Sequence, residues 1–312
     1  MEFCCTSPGP GNRTARSALR IARAAPGTDR GLDPGPIPCH TPHMALKNRV
    51  YDVVLPVGWK LNQKAQKYIY PSFTKRVAAD ELVFLNMGYE EDPPMAVPLD
   101  SSDEPDRYSI QLYHRVAAQV DLTGKRVLEV GAGHGGGASY VMRALHPASY
   151  TGLDLNPAGI AFCQKQHDVA GLDFVQGDAE NLPFADESFD AVINIESSLY
   201  YPDFARFLDE VARVLRPGGH FLYTDFRLPF GVAAWEAALA NAPLRIVSQT
   251  EINDEILRGY EKLSPSLKAL YDRHTPRLLR GVYAKLFAVD GKTTHPLKAW
   301  GFSYRIYCLT KV

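Results

Sequence analysis

The sequence has little cysteine, no excess of either charge and no long apolar run, and each absence excludes a class of protein. Its 312 residues include 5 cysteines, too few for a disulfide framework. The two beyond residue 43, Cys163 and Cys308, are typical of a reducing cytoplasm. Basic residues number 34 and acidic residues 35, so no net field attracts nucleic acid. No stretch of about 18 apolar residues could cross a membrane.

Metal ligands are also lacking, because no group of histidine and carboxylate side chains has ligand spacing, and no metal is expected. Hydrophobic residues make up 46% of the chain and charged residues 22%, which is ordinary for a globular protein. Nothing in the sequence indicates an oligomeric state.

Residues 1–43 differ in composition from the rest of the chain. They hold seven of the 23 prolines and three of the five cysteines. Proline lacks the backbone donor and glycine is costly to order, so the runs SPGPG at 7–11 and DPGPIP at 33–38 cannot sustain a helix or a strand. The segment is therefore predicted to be a disordered N-terminal extension.

Beyond it, β-rich runs alternate with amphipathic stretches, the order expected of a parallel sheet covered by helices. Strands are predicted at 126–130, 150–154, 172–176, 189–194, 220–226, 244–248 and 303–309, the last one closing the sheet. Helices are predicted at 138–145, 157–167, 204–214 and 232–242, with the turn RPGG at 216–219 ending the third. Residues 44–110 would form a helical and aromatic cap. Residues 111–312 would form the main domain, with a helical insertion at about 252–300 folded over the mouth of the sheet.

A glycine-rich run, EVGAGHGGG at 129–137, follows the first strand and opens a helix. Glycine lets the backbone turn sharply and approach a ligand closely. The loop matches two patterns. The dinucleotide pattern G-x-G-x-x-G is matched by Gly131, Gly133 and Gly136. The pattern E/D-x-G-x-G-x-G of adenosylmethionine enzymes is matched by Glu129 with Gly131, Gly133 and Gly135. Asp154 ends the second strand, where a carboxylate accepts hydrogen bonds from ribose hydroxyls in both classes. Asn156 is the better N-cap for the next helix, which leaves Asp154 available.

Three further runs separate the two classes: GDAENLPF at 177–184, DESFD at 186–190 and LRPGG at 215–219. In this order and spacing they resemble the class I S-adenosylmethionine-dependent methyltransferases. The resemblance implies an α/β, Rossmann-like class I methyltransferase fold, with a mostly parallel seven-stranded sheet and helical caps. It implies S-adenosylmethionine as cofactor, with the methionine end near the glycine loop, the ribose at Asp154 and the adenine at Asp178. The residues it assigns to the cofactor are Glu129, Gly131, Gly133, Gly135, Asp154, Leu155, Asp178, Ala179 and Asn194.

A narrower resemblance covers about residue 81 to the C-terminus. The runs YEEDPPM at 89–95, GHGGGASY at 133–140, LHPASYTGLDLN at 145–156 and SYR at 303–305 are similar to the phthiotriol/phenolphthiotriol dimycocerosates methyltransferases and related glycopeptidolipid and fatty-acid O-methyltransferases. This implies methyl transfer to a hydroxyl of a large envelope lipid. The expected partner is a lipid rather than nucleic acid. The expected location is the cytoplasm, and peripheral contact with the inner face of the membrane is consistent with a lipid substrate.

The general base is less clearly marked. Relatives often carry a histidine near position 199 or 200, whereas this chain reads ESSLYYPD at 196–203. His134 in the glycine loop, Glu196 after the fourth strand and Tyr200 are the candidate catalytic residues, although an ordinary tyrosine pKa near 10 suits orientation better than proton removal. A carboxylate acceptor, already ionised at neutral pH, would need no base, which makes a fatty-acid O-methyltransferase the alternative.

Three other functions share parts of these motifs. A C-methyltransferase of quinone or sterol type would have the same cofactor motifs and differ only in acceptor. A nicotinamide-dependent reductase would use Gly131, Gly133 and Gly136. A cofactor-binding scaffold without catalysis is consistent with the missing histidine.

Overall fold

The three-dimensional description rests on a computed structural model of the chain. It describes residues 57–59, 61, 63, 74, 82–275, 277–281 and 301–312. The predicted extension at 1–43, most of the predicted cap below residue 82 and the end of the predicted insertion lie outside the described residues. No helix within these ranges is long and apolar enough to cross a membrane.

A seven-stranded sheet organises the chain beyond residue 100, and helices pack on both of its faces. Its strands follow the order β3-β2-β1-β4-β5-β7-β6, with β7 antiparallel to both neighbours and β1 to β5 parallel. The elements are α1 Arg107–Ala117, β1 Arg126–Val130, α2 Gly136–Leu145, β2 Ser149–Asp154, α3 Pro157–Gln166, β3 Leu172–Gln176, β4 Phe189–Ile195, α4 Phe204–Val214, β5 Leu215–Arg227, α5 Pro229–Asn241, β6 Arg245–Glu251, α6 Asn253–His274 and β7 Ser303–Thr310.

The predicted fold class is confirmed, and β1, β3 and α4 have the predicted bounds. These elements were predictable because their patterns are simple. β1 and β4 are apolar runs buried on both faces, which is typical of central parallel strands. α4 has a polar N-cap, the Asp203 carboxylate accepting from Arg206 N–H, ahead of an amphipathic pattern.

The predictions around residues 215–220 were wrong in two respects. α4 ends at Val214, and Leu215 is already extended, so the RPGG turn does not end the helix. β5 begins at Leu215 rather than at residue 220, because Leu215 pairs with Phe189 and the turn then bulges out of the strand. Gly218 adopts a φ of +73° there, a conformation that glycine accepts without a Cβ penalty.

The last strand in the chain does not lie at the edge of the sheet. β7 lies between β5 and β6, and nearly all its residues are buried, whereas every residue of β6 is exposed. The aromatic and β-branched sequence of β7 therefore reflects an interior strand, and the polar RIVSQTE sequence of β6 reflects an edge strand. Strand order is a tertiary property that the individual runs do not encode.

Residues 82–100, the longest described stretch of the predicted cap up to that point, contain no helix or strand, whereas the described residues 57–59, 61, 63 and 74 are helical. α1 runs across the boundary predicted between residues 110 and 111. α6, the described part of the insertion, packs on the extended segment: Glu90 N–H donates to the Glu255 carbonyl at 3.1 Å, and Gly88 lies against Gly259. The insertion thus covers the segment 87–90, which in turn covers the end of the sheet.

The contact between Gly88 and Gly259 has a testable cost. A Cβ at Gly259 would lie 2.2 Å from the Gly88 carbonyl carbon, so Gly259→Ala must push α6 away from the segment. We expect the free energy of unfolding, measured in urea, to fall by about 1–3 kcal/mol. Gly281→Ala is the control, since nothing lies within 4 Å of that position. Equal stability of the two variants would contradict the packing described.

Candidate functional site

A cavity of about 640 Å³ opens at the carboxyl ends of β1 to β4, a volume typical of small-molecule sites. The strand order reverses between β1 and β4, and ligands of open parallel sheets bind at such a reversal. The described residues that line it are Gln63, Val83, Leu85, Asn86, Tyr113, Val130, Gly131, Ala132, Gly133, His134, Leu153, Asp154, Leu155, Asn156, Gly177, Asp178, Ala179, Glu180, Ile195, Glu196, Ser197, Tyr200, Tyr201 and Pro202.

The glycine loop forms the floor of this cavity. Gly131 and Ala132 donate their N–H groups to the Leu153 carbonyl at 2.7 and 3.0 Å, which ties the loop to the end of β2. Gly131 has a φ of +84°, and a Cβ there would lie 2.2 Å from the Ser197 hydroxyl oxygen. The loop therefore needs glycine at this position for both conformation and space.

The carboxylate of Asp154 stands at the rim of this loop. It accepts hydrogen bonds from Gly133 N–H at 2.9 Å and from Asn156 N–H at 2.8 Å. Burial raises its pKa. As predicted, Asn156 rather than Asp154 caps α3, because its side chain accepts from Ala158 N–H. Two carboxylate oxygens held by backbone donors keep free lone pairs for a ligand's hydroxyls.

Three more of the predicted cofactor residues lie on the same wall. Leu155 is 48% exposed, which is high for a leucine and is explained by its place at the cavity. Asp178 and Ala179 follow β3 and line the cavity, with the Asp178 carboxylate accepting from Glu180 N–H at 2.9 Å. Together with Gly131, Gly133 and Asp154, these residues surround one space.

Glu129 was predicted to line the methionine end but is not among the lining residues. It is fully buried, and its carboxylate accepts from the hydroxyls of Tyr113 at 2.8 Å and Tyr150 at 2.9 Å. Burial raises its pKa to about 7, against the opposing effect of the two hydroxyl donors. Tyr113, which donates to Glu129, is the residue of this pair that lines the cavity.

Gly135 and Asn194 are likewise not among the lining residues. Gly135 is the N-cap of α2 with a φ of +79°, and a Cβ there would meet Phe174 at 2.7 Å, so its role is in the turn. The Asn194 side chain is buried beneath the loop, where its amide nitrogen contacts the Val130 carbonyl and the Ser197 hydroxyl oxygen, both at 2.8 Å. It supports the cavity floor from below.

The residues present fit S-adenosylmethionine. Gly133 shows this most directly: a Cβ there would project toward Leu85 on the facing wall, at 3.2 Å, and so narrow the cavity between them. Asp154 and Leu155 would hold the ribose, and Asp178 and Ala179 would bracket the adenine. The cofactor's volume and its mixed polar and apolar surface match this lining.

His134, the first candidate base, uses both ring nitrogens within the protein. Nδ1 lies 2.6 Å from the Leu82 carbonyl oxygen, which can only accept, so this nitrogen carries the proton. Nε2 carries no proton when the neutral ring is protonated on Nδ1, so it accepts from the Thr74 hydroxyl at 3.0 Å. The Thr74 oxygen in turn accepts from Asn156 Nδ2 at 2.9 Å. Burial lowers the pKa of His134. It is a neutral side chain that fastens the loop to the cap.

Glu196, the second candidate, follows β4 at the cavity wall in an unusual conformation. Its φ of +51° is rare for a residue with a Cβ and marks a backbone held under strain. Met87 N–H donates to both carboxylate oxygens at 3.1 and 3.0 Å, and the Tyr304 hydroxyl donates to Oε1. Burial raises its pKa to about 7, with Asp225 adding to the rise and the two donors opposing it. A carboxylate with this pKa can exchange a proton near neutrality.

Tyr200, the third candidate, lies in a short 3-10 helix, Ser198–Tyr200, and its ring stacks on Trp59 at a centroid distance of 6.2 Å. It lines the cavity, as does Tyr201. The Tyr201 hydroxyl oxygen lies 2.9 Å from the Ser197 hydroxyl oxygen. Burial raises the pKa of Tyr201. Both tyrosines form part of the cavity wall.

The sequence predicted a cap over the site, but not which of its residues line the cavity. Val83, Leu85, Asn86 and Gln63 line the cavity, and Gln63 Nε2 donates to the Leu199 carbonyl at 2.8 Å. No local pattern marks these residues, because they reach the site through tertiary packing. Among the residues that the structure describes, no group of three histidine, cysteine or carboxylate side chains could hold a metal ion.

Comparison with known proteins agrees with this geometry. A methyltransferase domain family matches residues 128–223. The chain is 55% identical over 272 residues to the fatty-acid O-methyltransferase of Mycolicibacterium smegmatis, covering 86% of this chain and 99% of that protein. It is 57% identical over 250 residues to the phthiotriol/phenolphthiotriol dimycocerosates methyltransferase of Mycobacterium tuberculosis, covering 80% of this chain and 93% of the relative.

Among solved structures, the cyclase SpnF superposes with a TM-score of 0.60 at 22% identity, over 79% of this chain and 94% of that one, which shows a shared fold. The identity to the two curated methyltransferases is far higher and extends over nearly their whole length. The chain therefore belongs to the class I S-adenosylmethionine-dependent methyltransferases, in the family that contains the fatty-acid and the phthiotriol/phenolphthiotriol dimycocerosates enzymes.

Proposed function

We propose that this enzyme transfers a methyl group to a hydroxyl of a long-chain envelope lipid. The observation that carries the choice of a hydroxyl is the charge of the cavity wall. The described lining residues include no lysine and no arginine but four carboxylates, Asp154, Asp178, Glu180 and Glu196. A neutral acceptor suits such a wall better than an anion.

The size of this repulsion supports a neutral acceptor. Two like charges about 4 Å apart repel by about 4 kcal/mol at an effective dielectric constant near 20. An ionised fatty acid placed beside ionised Glu196 would meet that repulsion; the sulfonium of the cofactor would offset part of it, but no lysine or arginine is among the described lining residues. A lipid hydroxyl meets none of it and gains a hydrogen-bond acceptor.

Glu196 is the proposed base. Bound S-adenosylmethionine supplies an electrophilic methyl group on a sulfonium. As the acceptor oxygen forms its bond to that methyl, its O–H bond breaks and the proton passes to the Glu196 carboxylate, while the sulfur keeps the electron pair of the broken C–S bond. A base placed in this way contributes about 10²–10⁴-fold in rate.

The lipid nature of the acceptor is supported by the relatives and by the cavity. Both curated relatives are named for lipid substrates. Val83, Leu85, Ile195 and Pro202 add apolar surface to the lining, and Leu85 is 36% exposed. We propose that the enzyme works in the cytoplasm and takes its acceptor from the inner face of the membrane by peripheral contact.

A fatty-acid carboxyl is the second candidate acceptor, and one observation favours it. Because the pKa of Glu196 is raised to about 7, its protonated form exists near neutrality and could donate a hydrogen bond to a carboxylate acceptor. The two candidates then differ in pH dependence. Transfer to a hydroxyl needs ionised Glu196, so its rate should rise with pH through about 7. Transfer to a carboxylate needs protonated Glu196, so its rate should fall over the same range.

Octadecanol and octadecanoic acid provide the test, since they differ only in the head group. Each would be incubated with the purified enzyme and methyl-labelled S-adenosylmethionine, and the products treated with alkali. We expect label in a methyl ether that survives the alkali. Label confined to an ester that alkali hydrolyses would overturn the hydroxyl proposal in favour of the second candidate.

A further inference from the structure

Two donors from distant parts of the chain hold the carboxylate of Glu196. One is Met87 N–H, from the segment that α6 covers, and the other is the hydroxyl of Tyr304, from β7. A carboxylate accepts at roughly four lone-pair positions, and these contacts occupy about three of them. Because Glu196 lines the cavity, the remaining position is available to an acceptor there.

This arrangement rests on the proposed role of Glu196 as the base. On that footing, we propose that Tyr304 is a positioning residue, which keeps the Glu196 carboxylate ionised and directed at the acceptor hydroxyl. Tyr304 does not line the cavity and so does not itself touch the substrate. Its effect on the reaction passes through Glu196.

Tyr304 is held rigidly enough for this task. Its side chain is fully buried, and its ring stacks on Phe226 with a centroid distance of 5.8 Å and an interplanar angle of 18°. Its backbone N–H donates to Asn253 Oδ1 at 2.8 Å, and its carbonyl accepts from Ile252 N–H at 2.9 Å. β7 is paired on both sides, so the hydroxyl stays in place as the carboxylate gains and loses a proton.

Other charged and titratable groups face Glu196 from the neighbouring elements. Asp225, from β5, acts in the opposite direction to Tyr304, because a second negative charge disfavours ionisation of Glu196. Arg227 offsets part of that charge, with its guanidinium 3.2 Å from the Asp225 carboxylate. Tyr113, from α1, is neutral, since burial and Glu129 raise its pKa well above the ordinary value. Tyr304 is neutral for the corresponding reason, and it donates rather than accepts.

Loss of the Tyr304 hydroxyl should raise the pKa of Glu196. Burial raises the pKa of Glu196 to about 7, and the hydrogen bond from Tyr304 opposes that rise by stabilising the ionised form. Removing the hydroxyl therefore raises the pKa further. A hydrogen bond to a charged group corresponds to a shift of about one to two pH units. The acid limb of the pH profile should move to higher pH by that amount.

The experiment compares the full-length wild type with Tyr304→Phe, using octadecanol and S-adenosylmethionine as substrates. We expect the acid limb of kcat/KM to move up by about one to two pH units, with about a 5- to 50-fold loss of kcat at pH 7 that is recovered at higher pH. The KM for the cofactor should not change. The carboxylic-acid band of Glu196 can be followed by infrared titration and assigned by its loss in Glu196→Gln. The midpoint pH at which this band disappears should rise by the same one to two units.

Two further variants make the result specific. Tyr307→Phe is the matched control, because Tyr307 is buried in the same strand and its hydroxyl contacts Arg305 instead; its pH profile should equal the wild type. Asp225→Asn should move the limb the other way, to lower pH, which would show that the limb reports the ionisation of Glu196. An inactive Glu196→Gln together with an unmoved limb in Tyr304→Phe overturns the role of Tyr304 alone. An active Glu196→Gln overturns the assignment of the base as well.

Discussion

Replacing Glu196 with glutamine is expected to lower the single-turnover rate of methyl transfer by about 10²–10⁴-fold, the range for loss of a general base. The amide keeps the size of the side chain and can still accept from Met87 N–H and Tyr304, but it cannot take a proton. Affinity for adenosylhomocysteine, measured by calorimetry, should change little, because the variant removes chemistry rather than shape.

Glu129→Gln is the comparison for this variant. Burial raises the pKa of both carboxyl groups to about 7, yet only Glu196 is among the residues that line the cavity. Glu129→Gln should therefore alter stability or cofactor affinity, with a single-turnover rate within about tenfold of the wild type at saturating cofactor. A rate loss in Glu129→Gln as large as that in Glu196→Gln would contradict the choice of Glu196 as the base on the ground of its place at the cavity.

Gly131→Ala is expected to have the largest effect on cofactor binding. The new Cβ would lie 2.2 Å from the Ser197 hydroxyl oxygen and 2.5 Å from its Cβ, in a backbone with a φ of +84°. Strain and overlap together should lower the free energy of unfolding by about 2–4 kcal/mol. Displacement of the cavity floor should weaken adenosylhomocysteine binding at least tenfold, as measured by calorimetry.

Gly124→Ala separates strain from overlap. Gly124 has a similar φ of +69°, but nothing lies within 4 Å of its Cβ position and it is not among the cavity-lining residues. This control should lose about 1 kcal/mol of stability and bind adenosylhomocysteine as the wild type does. If both variants bound the cofactor normally, the close contact between Gly131 and Ser197 would not shape the site.

Much of the site was predictable because it lies where strands meet turns. Parallel strands bring their carboxyl ends to one edge of the sheet. The predicted residues that line the cavity lie at or just after the ends of β1, β2 and β3: Gly131, Gly133, Asp154, Leu155, Asp178 and Ala179. Glu129 and Asn194 were harder, because alternation along a strand decides which way a side chain points, and neighbouring elements decide what it meets there.

The choice of base could not be made from the sequence. A histidine in a glycine loop, such as His134, is a candidate base by sequence. The structure shows that both of its ring nitrogens form hydrogen bonds within the protein, to the Leu82 carbonyl and the Thr74 hydroxyl. The partners of Glu196 are no nearer in the chain: Met87 lies 109 residues before it and Tyr304 lies 108 after it. Contacts at this separation depend on the order of strands and on the packing of the cap.

The sequence by itself determined the α/β class, the bounds of β1 and β3 and the glycine loop, because each of these is carried by a short run of residues with its own physical signature. The family followed from the resemblance of its motifs. Tertiary structure alone decided that β7 is an interior strand, that the cap segment lines the cavity and that the pKa of Glu196 is raised to about 7. Burial and charge at a point depend on every element packed around it, and no single stretch of the chain contains that information.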